Sequence, residues 1–147
     1  MSTSAPGTAP FVHPIGEHTP PQIDDTAFLA PGTFVTGDVR VGPEASIWYG
    51  TSVRGDTTTI TLGARSNVQD NSALHADPGG AADDRANVTI GHRAVVHGCT
   101  IEDGCLIGMG SVVMNHAVIG AGSLVAAGAV VLEGTEVPPG SLVAGMP

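Results

Sequence analysis

The sequence has little of what most globular cores are built from. Aromatic residues are only 3% of its 147 residues, so the interior must be filled by small, repeated side chains. Lys and Arg together number 5 against 14 Asp and Glu, a formal net charge of −9. That balance argues against nucleic acid or an anionic membrane as partner, since both demand clustered positive charge. The two cysteines, Cys99 and Cys105, are too few for a disulfide framework and fall inside the repeats described below, so they read as reduced core thiols. No apolar run approaches the ~20 residues of a membrane span. The opening MSTSAPGTAP lacks a basic start followed by an apolar stretch. A single soluble domain in the cytoplasm is the expectation.

What the chain does have is 21 Gly and 11 Pro among many Val, Ile and Ala, arranged with a strict period. An aliphatic residue recurs every sixth position through Ile101, Ile107, Val113, Ile119, Val125, Val131, Val137 and Val143. Four residues after each of these, as far as the chain extends, stands a small side chain, from Cys105 and Ser111 to Thr135 and Ser141. Upstream the frame appears in Leu29, Val35, Val41, Ile47 and Val53, with Thr33, Val39, Ala45, Thr51 and Thr57 at the small position. It slips by three residues near 58–60, resumes at Leu62, Val68 and Leu74, and again at Ile90 and Val96. Residues 78–85 interrupt it and read as a protruding loop.

A helix has a period near 3.6 and a simple strand a period of two, and neither explains six. Short strands joined by sharp turns do, if three hexads make one triangular coil and coils stack in parallel at ~4.8 Å. The expected architecture is an all-β parallel β-helix over residues 21–147, with residues 1–20 as an N-terminal extension.

That frame sorts the histidines. His75 directly follows the corner residue Leu74, and His97 directly follows the corner Val96. The hexads that begin at Leu74, Asp84, Ile90 and Val96 visit the three faces in turn, so His75 and His97 should stack on one face in neighbouring coils. Nitrogens bound to zinc at ~2.0–2.1 Å lie about 3.3 Å apart, within reach of such a pair. His92 belongs to the adjacent face and points around a corner. It completes a three-histidine site only from a neighbouring subunit, which makes a trimer a consequence of the metal reading. His13, His18 and His116 read as ordinary surface residues.

The segments Ile47-Trp48-Tyr49-Gly50, Arg54-Gly55-Asp56, Asn67-Val68-Gln69-Asp70-Asn71, His75-Ala76-Asp77, Gly91-His92, His97-Gly98-Cys99-Thr100 and Ile107-Gly108-Met109-Gly110 together resemble the γ-class carbonic anhydrases and their close relatives. The resemblance spans residues 20–147. It implies a left-handed β-helix assembled as a homotrimer, with zinc, alternatively iron or cobalt, held at subunit interfaces by His75 and His97 of one chain and His92 of the next. The implied reaction is reversible hydration of carbon dioxide to bicarbonate. Gln69 would hold the attacking hydroxide or bicarbonate by its side-chain amide. Arg54 and Asp56 would pair across the interface, with Asp70 joining their network, in a catalytic or a purely structural role.

Two departures bear on activity. The prototype enzyme carries proton-ferrying glutamates in acidic loops, where this sequence has Thr57-Thr58-Thr59 and residues 78–85, leaving Asp83 and Asp84 as possible substitutes. Members of the family also continue past the Gly-Met-Pro of residues 145–147 into a C-terminal helix. Other readings on the same fold are an acyl-CoA thioesterase, an acyltransferase, and a catalytically silent metal-binding assembly module.

Overall fold

The computed structural model describes residues 9–80 and 82–146. Among them every regular element is a β-strand, most only two residues long. Short strands follow from the six-residue repeat, in which each pair of extended residues runs into a turn. One face of the prism is a seven-stranded parallel sheet whose corner residues stack as Leu29, Ile47, Val68, Ile90, Ile107, Val125 and Val143. The other two faces are joined into one twelve-stranded sheet because the long strands Phe34–Val41 and Ser52–Leu62 run through the corner between them.

The core is the column of side chains down the prism axis. Corner residues such as Ile47, Val68, Ile90 and Ile107 are fully buried, and so are the small residues Ala45, Ser111, Ala117 and Ala129. Buried hydroxyls sit there without penalty because each reaches a turn carbonyl. Thr33 donates to Ala30 O at 2.9 Å and Ser111 to Gly108 O at 2.7 Å. Cys99 and Cys105 are buried in this column. Phe11, Phe28, Phe34, Trp48 and Tyr49 all lie outside the prism, which bears out an interior made of small side chains.

Three boundaries differ from the sequence reading. Thr57 stands at the small position of the hexad frame, yet it is exposed and Ile60 is buried. The step from Gly37 to Val39 on one strand faces the step from Gly55 to Ile60 on the next. The extra residues therefore bulge outward, and Ile60 takes the interior place. Residues 78–85 are not a loop throughout, because Ala82–Asp84 forms a strand paired on one side with Ile60, Thr61 and Leu62 and on the other with Thr100 and Ile101. Within residues 1–20, the strand Phe11–His13 continues the sheet by pairing with Phe34, Val35 and Thr36.

Candidate metal centre

His75 ends the strand Ala73–His75 and His97 ends the strand Val95–His97. The two are direct partners across the ladder, so the stacking anticipated from the repeat is present. Their rings meet edge to face, with His75 Nδ1 3.0 Å from His97 Nε2. One coil before them is Asp56, whose Oδ1 lies 2.9 Å from His75 Nε2. One coil after them is Asn115, whose Oδ1 lies 2.9 Å from His97 Nδ1. Asp56, His75, His97 and Asn115 thus form a polar column along the outside of one edge of the prism.

The partners at the two ends determine where the ring protons sit. An ionised carboxylate only accepts, so His75 Nε2 carries its hydrogen toward Asp56. Asn115 Nδ2 donates to Asp77 Oδ2 at 2.8 Å, which turns its carbonyl oxygen toward His97 and places the His97 hydrogen on Nδ1. In neutral rings, the two inner nitrogens then face each other at 3.0 Å, each with a lone pair. Such an arrangement needs a positive charge between or beside the nitrogens. A divalent cation satisfies both lone pairs, and the observed spacing is close to the ~3.3 Å that tetrahedral zinc requires. Ligating atoms of His75, His97 and Asp77 all lie within 4.8 Å of one another. The donor set therefore fits a metal.

The carboxyl of Asp56 is shaped by the same column. Burial pushes it up, but hydrogen bonds from His75 and Arg54 outweigh this and hold it below the ordinary carboxylate range. Arg54 Nη1 donates to Asp56 Oδ2, so the ion pair expected across a subunit interface is already made within one chain.

The remaining site residues lie elsewhere. His92 occupies the turn that follows the strand Thr89–Ile90, next to Arg93 in a left-handed conformation (φ 56°). This turn stacks on that of Asp70, with Arg93 N donating to Asp70 O at 2.9 Å. The stacking brings His92 Nδ1 to 3.0 Å from Asp70 Oδ2, so within one chain Asp70 partners His92. Gln69, Asp70 and His92 border an open depression of about 520 Å³ with Ser46, Trp48 and Asn67, and Gln69 Nε2 is 3.4 Å from Asn67 Oδ1. The predicted set is thus divided into two groups, one around His75 and His97 and one around His92. Asp83 stands exposed in its strand beside Thr61 and Thr100.

Residues 98–133 match the model of the bacterial transferase hexapeptide (six repeats). A protein of Methanocaldococcus jannaschii assigned as a carbonic anhydrase is 50% identical over 119 residues, covering 81% of this chain and 75% of that protein. The chain belongs to the γ-carbonic anhydrase family of hexapeptide-repeat proteins. The mitochondrial γ carbonic anhydrase 1 of Arabidopsis thaliana is 44% identical over 104 residues, 67% of this chain and 38% of that one. The match spans well under half of that longer relative. A crystal structure from Bacillus cereus, assigned to the acetyltransferases, superposes with a TM-score of 0.92 at 40% identity, covering 95% of this chain and 80% of that one. One edge of this family member's prism carries Asn115 and Asp77 as well as the histidines, and sequence reasoning gave neither a role. The signal was present, since Asn115 follows His97 by 18 residues, the length of a regular coil of three hexads.

Proposed function

We propose that this chain is a metal-dependent carbonic anhydrase that works as a homotrimer. His75 and His97 of one protomer and His92 of a neighbour hold zinc, alternatively iron(II) or cobalt(II). The observation that carries this reading is the pair of inner imidazole nitrogens, His75 Nδ1 and His97 Nε2, facing each other at 3.0 Å, with acceptors at both ends of the polar column. Further support comes from the separation of His92 from that pair, which suits a ligand given in trans, and from relatives named as carbonic anhydrases.

When bound, a divalent cation on three neutral imidazoles supplies a Lewis acid that makes hydroxide available near neutral pH for attack on carbon dioxide. The protein's own residues do the rest. Asp56 and Asn115 hold the outer nitrogens, His75 Nε2 and His97 Nδ1, and so aim the inner nitrogens of both rings at each other. Asp70 holds His92 Nδ1–H, leaving His92 Nε2 to coordinate. Gln69 orients hydroxide and bicarbonate through its amide. The test is metal quantification after anaerobic purification, followed by stopped-flow hydration of carbon dioxide at high and low buffer concentration. Metal-dependent turnover that rises with buffer is expected, with His97→Ala inactive and Gln69→Ala slowed by about 100-fold, the typical effect of losing one positioned donor. A metal-loaded protein with no hydration at any buffer concentration would contradict it.

One observation favours a second reading, an acyl-CoA thioesterase or acyltransferase on the same fold. A largely apolar groove of about 310 Å³ runs from Gln69 and His92 past Leu106, Met109 and Leu124, and the Bacillus cereus structure is assigned to acetyl transfer. Release of CoA from acyl-CoA, assayed on the same preparation with and without an amine or hydroxyl acceptor, distinguishes this reading.

A further inference from the structure

We propose that Asn115 is a positioning residue that fixes the tautomer of His97, with Asp77 acting through it. The role in metal binding rests on the carbonic anhydrase reading; the role in setting the tautomer does not.

A neutral imidazole has two tautomers, and its partner at one nitrogen selects between them. Asn115 Oδ1 lies 2.9 Å from His97 Nδ1. A carboxamide is by itself an ambiguous partner, because rotation by half a turn would present Nδ2 in place of Oδ1 and select the opposite tautomer. Asp77 removes the ambiguity. Its Oδ2 accepts from Asn115 Nδ2 at 2.8 Å, and an ionised carboxylate has no hydrogen to give if the amide turns over.

Backbone geometry closes the other routes. Gly98, between His97 and Cys99, has φ 61°, and a Cβ there would stand 2.0 Å from Asn115 Oδ1. Asn115 therefore occupies the space that any other residue at Gly98 would fill. The amides of this edge run in the same stack, with Gly98 N donating to His75 O at 2.8 Å and His116 N to Gly98 O at 2.7 Å. His75, His97 and Asn115 are thus locked onto three successive coils. His75 has a carboxylate as its outer partner and His97 a neutral amide, so the chain Asp77 to Asn115 to His97 carries a carboxylate's orienting effect one residue further out.

The experiment uses the full chain, stripped of metal and labelled with ¹⁵N. Long-range ¹H–¹⁵N correlation at neutral pH should show His97 protonated on Nδ1 in the wild type and in the double variant Asn115→Asp with Asp77→Asn, which keeps an acceptor toward His97 and a donor between the two side chains. Asn115→Leu should show mixed tautomers, and Asp77→Ala an intermediate mixture. Affinity for Co²⁺, read by competition with a chromogenic chelator, should fall about 10- to 100-fold in Asn115→Leu and be retained in the double variant Asn115→Asp with Asp77→Asn. A wild-type His97 with a hydrogen on Nε2 and none on Nδ1, or an Asn115→Leu protein with unchanged tautomer and Co²⁺ affinity, overturns the proposal. A wild type that takes up no Co²⁺ but shows the expected tautomers supports the positioning role while the metal reading fails.

Discussion

Each ring at the candidate centre is governed by a neighbour one coil away, and substitutions there should act through those neighbours. Gly98→Ala would force a Cβ into Asn115 and hold alanine at a left-handed φ, a conformation that costs about 1–2 kcal/mol. Thermal unfolding should register that loss, and metal affinity should fall with it because Asn115 can no longer face His97. Asp56 predicts an acid response. Its carboxyl is held below the ordinary range, so the stability it contributes is complete above the unfolded value of about 3.9 and is lost as pH falls through the lower folded value. Melting temperatures measured from pH 6 down to about pH 2 should fall more steeply in the wild type than in Asp56→Asn; parallel curves would refute this. At this scale the sequence was partly legible. His75 and His97 could be placed because they follow corner residues, whereas Asn115 and Asp77 were passed over because single polar residues at turns look like ordinary turn formers.

The hexad is the element that organises the molecule, and its period was readable because one aliphatic per six residues must point inward. Ile107 illustrates the consequence. It is fully buried between Ile90 and Val125, and Ile107→Ala should cost about 2–5 kcal/mol in chemical denaturation, as a large-to-small change in a packed core does. The frame was hard to follow where extra residues bulge outward. Thr57 fits the small position by count, but only the register from Gly55 to Ile60 shows that Ile60 replaces it. The strand Ala82–Asp84 was hidden for a related reason. Its flanking Gly, Ala and Asp carry loop composition, while its strand character comes from being paired on both sides by Thr61 and Thr100.

At the scale of the whole molecule, the division of the histidines is the central feature. His75 and His97 belong to one edge and His92 to a turn where it pairs with Asp70. Period alone anticipated this, since residues on different faces of a prism cannot converge outside it. The direct test is subunit complementation. His75→Ala and His92→Ala chains, each inactive alone, are co-expressed with different tags, and mixed oligomers are isolated. If the site forms in trans, a mixed oligomer contains an interface with His75 and His97 from the His92→Ala chain and His92 from the other, so metal binding and carbon dioxide hydration return in part. Mixed oligomers that bind no metal and stay inactive, where the wild type does both, would contradict a shared site.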